Sequence, residues 1–256
     1  MNAYLLVFGA IFLVSLLIPA LLYKLRSGCV RCGLTVRHVS STTFSLFASL
    51  YAFFLGFCLV TLWNDFGTAR TAVANEASAV LAANAFSMQL GHSGPFRQIL
   101  TAYAHSVVEE EWPDMDAKLT MNGHTHQLVL DVWRAYLTLA PTDKHDNILY
   151  ANLGNVLLEA ARQRNARALL LSGNIYTPVW VVIVFGFFGS VLALLCANPD
   201  QEGWQLVMEF VVVFTVLSCI YFIYDISTPF SGLLHVAPDA FTDALSRLQE
   251  YQALKP

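Results

Sequence analysis

Four long runs of apolar residues dominate the pattern of this chain, and none of them contains Lys or Arg. They are residues 4–23, 44–63, 179–197 and 206–224. A run of about 20 apolar residues is long enough to cross the hydrocarbon core of a bilayer as an α-helix. The pattern therefore predicts an all-α, polytopic membrane protein with four transmembrane helices.

A long polar segment, residues 65–175, separates the second run from the third. Its start continues the second helix, because Val73 and Val80 lie two helical turns apart and no Gly or Pro intervenes. Later apolar stripes predict three more amphipathic helices, one stopped by Pro113 and one capped by Thr142. The segment is predicted to be an extramembrane helical bundle inserted between transmembrane helices 2 and 3.

These elements divide the chain into four predicted parts. Residues 1–64 hold transmembrane helices 1 and 2 with a basic linker, and residues 65–175 form the helical bundle that continues helix 2. Residues 176–226 form a transmembrane hairpin of helices 3 and 4. Residues 227–256 carry a Pro-Phe-Ser-Gly sequence and a short amphipathic C-terminal helix.

Transmembrane helix 2 has two contrasting faces. One stripe consists of small residues, namely Ser45, Ser49, Ala52 and Gly56. The stripe beside it is aromatic and consists of Phe47, Tyr51 and Phe54. Small side chains allow a second helix to approach closely in lipid. Two interpretations stay open: one face lines a pore or cavity, or the helix is simply well packed with its Phe side chains toward lipid.

Composition agrees with a membrane protein, since 56% of the residues are hydrophobic and only 12% are charged, against about 25% charged in soluble domains. The lipid bilayer is therefore an expected partner. A net charge of −4, with no basic run interleaved with aromatics, argues against nucleic acid as a partner. No nucleophile elbow, phosphate-binding Gly loop or HExxH sequence occurs, so we expect neither an enzyme nor a cofactor.

No metal site is predicted. His124 and His126 are two residues apart and would face different sides of a helix. The run Glu109-Glu110-Glu111 is interpreted as the solvated end of a helix. Cys29 and Cys32 have the spacing of a metal or redox pair, but no second pair of ligands is close in sequence. Two reduced thiols in a short loop are the favoured interpretation.

One acidic residue lies inside an apolar run. Glu209 is about one turn inside the run that predicts transmembrane helix 4, and an ionisable group at such a position is a functional hypothesis. Two interpretations are equally open: Glu209 faces a pore, or its side chain snorkels to interfacial water.

Several short sequences, in order along the chain, carry a resemblance to a known family. They are Leu55-Gly56, Glu76-Ala77, Glu111-Trp112-Pro113, and Pro229-Phe230-Ser231-Gly232 preceded by Asp225. Together they resemble the bacterial membrane family called bestrophin-like, whose label suggests a distant relation to the bestrophins, which are pentameric anion channels. The likeness covers nearly the whole chain.

The resemblance implies a homo-oligomeric channel for small anions, with transmembrane helix 2 lining the pore. Bestrophin pores are narrowed by hydrophobic side chains one turn apart on that helix, and the candidates here are Leu50, Phe53, Phe54 and Phe57. The acidic, calcium-binding run that follows Pro-Phe-Gly in bestrophins has no counterpart after Gly232, so calcium gating does not carry over. The alternative is a non-conducting membrane anchor or envelope sensor whose helical insert binds a partner.

The charges around the first apolar run predict the orientation in a bacterial inner membrane. The linker between the first two runs contains Lys24, Arg26, Arg31 and Arg37, whereas no Lys or Arg precedes the first run. The positive-inside rule places this linker in the cytoplasm, and the termini and the helical insert outside it. The analogy with bestrophins, together with Arg162, Arg164 and Arg167 before the third run, favours the opposite orientation.

Overall fold

The structure is a computed structural model that describes residues 2–31, 41–171, 175–196 and 202–253. Within these ranges every regular element is helical, as the sequence predicts. The helices are α1 Asn2–Arg31, α2 Ser41–Met88, α3 Gly94–Ser106, a π-helical turn Val107–Glu111, α4 Trp112–Lys118, α5 Gly123–Leu137, α6 Lys144–Leu170, α7 Thr177–Cys196, α8 Glu202–Ile226 and α9 Asp239–Ala253.

Four of these helices are long and apolar enough to cross a membrane. The candidate spans are Leu5–Leu25 in α1, Phe44–Met88 in α2, Thr177–Leu195 in α7 and Trp204–Ile226 in α8. They correspond to the four apolar runs of the sequence, so the predicted fold class is confirmed. The span in α2 belongs to a helix of 48 residues, which continues well beyond the length that a bilayer requires.

The chain forms two compact units. The membrane unit comprises the described parts of residues 1–63 and 174–227, and the bundle unit those of residues 64–173 and 228–256. Helix α2 contributes residues to both units, and α9 belongs to the bundle unit. The C-terminal segment thus packs with the polar insert rather than forming a compact part of its own.

In the membrane unit, aromatic side chains pack α1 against α8. Phe8 of α1 meets Tyr221 edge to face at 6.0 Å between ring centroids, and Phe12 meets Phe210 at 5.2 Å and Phe214 at 6.3 Å. Later residues of α1 therefore contact earlier residues of α8. The two helices run antiparallel, as expected for spans that cross the membrane in opposite directions.

The bundle unit has an apolar core to which α2, α3, α4, α6 and α9 all contribute. Phe96, Leu100, Met115, Leu153 and Phe241 are almost completely buried in it. Burial of each such side chain stabilises the fold by about 1.5–3 kcal/mol. All of these positions except Met115 fall on the apolar stripes of the sequence, which is why the pattern predicts a bundle.

The prediction that Pro113 ends a helix is wrong. Helix α3 runs into the π-helical turn, where the Trp112 backbone N–H donates to the Val107 carbonyl, and α4 begins directly afterwards. The π turn opens the regular hydrogen-bond pattern where proline has no N–H to donate, so the helix continues to Lys118.

The N-cap of α6 also differs by one residue from the prediction. The Asp143 side chain accepts a hydrogen bond from the Asp146 backbone N–H at 2.7 Å and caps the helix. Thr142 instead donates its hydroxyl to the Asp146 carboxylate at 2.5 Å.

Candidate functional site

The residues proposed to line a pore form one uncovered stripe on α2, with one exception. Leu50, Phe53 and Phe57 are 62%, 76% and 65% exposed, and Val60 extends the stripe at 60%. The steps of three and four residues place these side chains on one helical face. Phe54 differs because it lies at the edge of this face and is half-buried.

The neighbouring face of α2 is covered by α7. The Tyr51 hydroxyl donates to the Ile183 carbonyl at 2.7 Å. The Tyr51 ring lies against Gly186, and the Phe47 ring lies against Gly189. Two of the three residues of the aromatic stripe therefore fill the space that two glycines leave on α7.

The stripe of small residues on α2 stays open within the chain. Ser45, Ser49, Ala52 and Gly56 are all exposed. No heavy atom lies within 4 Å of the position that a Cβ would take at Gly56. The described residues therefore supply no partner helix for the small stripe, which adjoins the exposed stripe of Leu50, Phe53 and Phe57.

The two acidic residues named on α8 are both buried. Glu209 is 1% exposed and accepts a hydrogen bond from Gln205 Nε2 at 2.8 Å. Asp225 is 5% exposed near the end of the same helix. Glu209 therefore lies in the packed interior of the membrane unit, and its pore-facing or snorkelling role stays a prediction.

The bundle unit contains four buried charges that the sequence analysis did not place together. They are Glu76 of α2, Glu111 of the π turn, and Arg164 and Arg167 of α6, and we call them the buried charge cluster. Arg167 Nε donates to Glu76 Oε2 at 3.0 Å, and its Nη2 donates to Glu111 Oε1 at 2.8 Å. Arg164 donates to both oxygens of Glu111, at 2.5 and 2.6 Å.

Aromatic side chains complete the surroundings of the cluster. The Tyr103 hydroxyl donates to Glu76, and burial together with the Glu76 carboxylate raises the pKa of Tyr103 well above its ordinary value. The Arg167 guanidinium lies 5.2 Å from the centre of the Trp112 ring system. Burial would lower the pKa of Arg167, but the carboxylates of Glu76 and Glu111 outweigh it and raise the pKa.

The charges within the cluster balance, with two carboxylates against two guanidinium groups. Charges removed from water persist when they are paired and hydrogen-bonded, as these are. The cluster joins α2, the π turn and α6, and Tyr103, which donates to Glu76, adds α3 as a fourth element. Each charge of the cluster is paired with at least one opposite charge in it, so we interpret the cluster as positioning these elements.

The interpretation of Glu109-Glu110-Glu111 as a solvated helix end is wrong for Glu111, which is fully buried. A periodic signal for the cluster was present in the sequence. Glu76 stands three residues after Val73 and four before Val80, both of which are buried, so it occupies the apolar stripe of α2. Arg164 likewise follows Leu157 by two helical turns on the buried face of α6.

The Pro-Phe-Ser-Gly sequence forms a tight loop in the bundle unit. The Val236 backbone N–H donates to the Pro229 carbonyl at 2.8 Å, and Gly232 adopts a φ of 91°, which favours glycine. Phe230 packs edge to face on Trp112 at 6.0 Å, and Trp112 Nε1 donates to the Val236 carbonyl at 3.1 Å. The sequences that carried the family resemblance in this unit therefore meet around Trp112 and the buried charge cluster.

Two histidines of the insert pair with the exposed side of the π turn. His124 Nδ1 lies 2.8 Å from Glu110 and His105 Nδ1 lies 3.7 Å from Glu109. No group of three or more His, Cys, Asp or Glu side chains suited to a metal occurs among the described residues. Cys32 lies outside those residues, and so does the side chain of Cys29.

The fold defines a helical membrane protein with four candidate spans and a second compact unit that is also helical. The chain belongs to the Bestrophin-like domain family, whose family model matches residues 6–241. No curated protein matches the chain.

Solved structures with the same fold include crystal structures of variants of a bacterial Bestrophin homolog from Klebsiella pneumoniae. One is 14% identical with a TM-score of 0.72, over 97% of this chain and 99% of the other. A second is 17% identical with a TM-score of 0.71, over 94% and 98%. At these identities the likeness shows a shared fold over the whole chain.

Proposed function

We propose that this protein is a homo-oligomeric ion channel in which α2 of each copy lines the pore. The observation that carries the proposal is the stripe of Leu50, Phe53 and Phe57, which the described chain leaves uncovered while α7 covers the adjacent face. The open small stripe beside it suits close approach of α2 from a second copy. Membership of the Bestrophin-like family supports the same assignment.

The proposed gate is a hydrophobic constriction. Phe53 and Phe57 are one helical turn apart, so in a ring of copies their side chains would form two stacked apolar rings. A narrow apolar passage excludes ions by dewetting and conducts when it widens. We propose small anions as the permeating class, supported by the resemblance to bestrophins.

Planar-bilayer recording of the purified protein tests this function. The proposal predicts currents whose reversal potential, under a KCl gradient, shifts toward the equilibrium potential of chloride. A reversal potential near the equilibrium potential of potassium would support a channel but reject the proposal that it conducts anions. No current in any oligomeric fraction, under anion or cation gradients, would reject the channel itself.

A non-conducting anchor or sensor is the second candidate function. An open groove of about 550 Å³ between α3 and α5 favours it, because the groove is lined in part by Pro95, Ile99, Leu128 and Ala135. A partner bound by the bundle unit could use such a surface. Two results together would favour this function over the channel. Bilayer recordings would show no current, and the protein would bind a partner through a contact that Ile99→Glu abolishes.

For the orientation, we propose that the basic linker is cytoplasmic in the inner membrane, with the termini outside the cytoplasm. The support is the excess of Lys and Arg after the first span. A reporter enzyme that works only outside the cytoplasm should therefore be active when it is fused after Pro256. Activity of a reporter that works only in the cytoplasm would reverse the assignment.

A further inference from the structure

Among the side chains that the structure describes, six Trp and Tyr lie near the ends of the four apolar runs. Five are well exposed in the chain: Tyr23 at 45%, Trp63 at 56%, Tyr176 at 81%, Trp204 at 62% and Tyr224 at 65%. The sixth, Trp180, is half-buried. Trp and Tyr favour the membrane–water interface because an apolar ring carries a polar N–H or O–H group.

Contacts within the membrane unit place four of these residues at one end of it. Trp180 meets Tyr224 at 6.2 Å, which brings the start of α7 beside the end of α8. Helix α2 runs antiparallel to α7, because Phe47 packs on Gly189 and Tyr51 on Gly186. Trp63, three turns beyond Tyr51, therefore lies at the end of α2 nearest the start of α7. We call Trp63, Tyr176, Trp180 and Tyr224 the first belt.

The remaining two residues lie at the opposite end. Helices α1 and α8 are antiparallel, with Phe8 beside Tyr221 and Phe12 beside Phe214. The end of the span in α1, at Tyr23, therefore lies toward the start of α8, at Trp204. We call Tyr23 and Trp204 the second belt.

The separation of the belts fits one bilayer. Trp204 and Tyr224 mark the two belts on α8, and the helix between them is about 30 Å long at about 1.5 Å per residue. The hydrocarbon core of a bilayer is also about 30 Å thick. The residues between the belts on α8 include a single ionisable carboxylate, Glu209, and it is buried.

We propose that the two belts lie at the levels of the phospholipid headgroups and set the depth at which the four spans cross the membrane. The members on α1, α7 and α8 contact the headgroups, whereas Trp63, seven residues after Gly56 on the small stripe of α2, marks the same level on the helix proposed to line the pore. The inference concerns contact with lipid and stands whether or not the protein conducts ions. It places Phe53, ten residues before Trp63, about 15 Å from the first belt and therefore near the bilayer midplane. It places Glu209, five residues after Trp204, about 8 Å inside the second belt.

Depth-dependent quenching of tryptophan fluorescence tests the proposal. The baseline variant replaces Trp63, Trp180 and Trp204 by Phe and keeps Trp112 and Trp133 of the bundle unit, so that their packing is preserved. Adding back one membrane Trp at a time gives its signal by difference. The variants are reconstituted in phosphatidylcholine vesicles whose lipids carry bromine near the headgroup end of the acyl chain or near its terminal methyl.

The add-back variants of Trp180 and Trp204 should each be quenched several-fold more strongly by bromine near the headgroup. Phe188→Trp in the baseline variant is the deep reference, because Phe188 is 62% exposed and lies about 12 Å beyond Trp180 along α7. It should be quenched more by bromine near the terminal methyl. Stronger quenching of Trp180 or Trp204 by the deep bromine, or no quenching of either by any lipid, would overturn the proposal.

Discussion

Arginines only a few residues apart near the end of α6 have opposite surroundings. Arg162 is 74% exposed and lies 3.6 Å from Glu159, a surface pair of the kind that contributes only a few tenths of a kcal/mol. Arg167 is fully buried between Glu76 and Glu111. Arg162 thus lies on the surface, whereas Arg167 connects several helices.

Replacing Arg167 should therefore cost far more than replacing Arg162. Arg167→Met leaves the buried Glu76 without its guanidinium partner and weakens the hold on Glu111, and we expect a loss of about 3–5 kcal/mol in the free energy of unfolding. Arg162→Met, the matched control, should change it by less than about 1 kcal/mol. Chemical unfolding in detergent, followed by fluorescence, measures both.

Equal stabilities of the two variants would contradict the role given to the buried charge cluster. A useful companion is Glu111→Gln, which keeps the shape of the side chain and removes its charge. It should destabilise the protein as well, because both Arg164 and Arg167 donate to that carboxylate.

Asp114 provides a pH-dependent prediction. Hydrogen bonds from Lys118 at 2.7 Å and from Asn122 at 2.6 Å lower the pKa of its carboxyl group. With the folded pKa below the unfolded value of about 3.9, ionised Asp114 stabilises the fold above that value, and the contribution is lost as pH falls through the lowered pKa. The melting temperature of the wild-type protein should be higher than that of Asp114→Asn at about pH 6. The difference between the two melting temperatures should shrink toward about pH 3. A difference independent of pH would refute this assignment.

At the scale of elements, the apolar runs were sufficient to predict the membrane spans, because hydrocarbon requires long uninterrupted stretches. The continuous helix α2 was also predictable, since helical spacing of apolar residues resumes after Asp65 and no Gly or Pro occurs between Thr68 and Met88. The π turn at Val107–Glu111 was not predictable, because it depends on how Glu111 pairs with arginines more than fifty residues away in α6. The residues near Pro113 in the sequence do not predict these contacts with α6.

The packing of α2 on α7 depends on glycine at two positions. A Cβ at Gly186 would fall within 3.0 Å of the Tyr51 ring. Gly186→Ala should therefore displace Tyr51, weaken its hydrogen bond to Ile183 and lower the stability by about 1–3 kcal/mol. Gly9→Ala on α1, where nothing lies within 4 Å, is the matched control and should be close to neutral. Thermal unfolding in detergent distinguishes the two, and equal melting temperatures would argue against this packing.

The candidate pore face illustrates the limit of sequence reasoning about a site. Periodicity groups Leu50, Phe53, Phe54 and Phe57 on neighbouring positions of one helix, and all four are apolar. Which of them remain uncovered depends on where α7 docks, and that contact is made by Tyr51 and Phe47 with glycines over 100 residues later. The lining assignment therefore stays a proposal, but the structure separates Phe54 from the other three.

At the scale of the whole molecule, the different exposure of Phe57 and Phe54 provides a matched pair of channel variants. Phe57→Ala should widen the proposed constriction and raise the open probability or the conductance in bilayer recordings. Phe54→Ala removes a side chain of the same size from the half-buried edge of α2 and should change the current much less. Identical currents from wild type and Phe57→Ala would reject Phe57 as a constriction.

The arrangement of subunits in the purified protein tests the central claim most directly. Single-particle imaging of the protein in lipid nanodiscs resolves the number of copies and the position of α2 relative to the symmetry axis. The account predicts a closed ring of identical copies in which α2 surrounds the axis and Leu50, Phe53 and Phe57 face it. A monomer, or a ring with α2 on the outer, lipid-facing side, would contradict it.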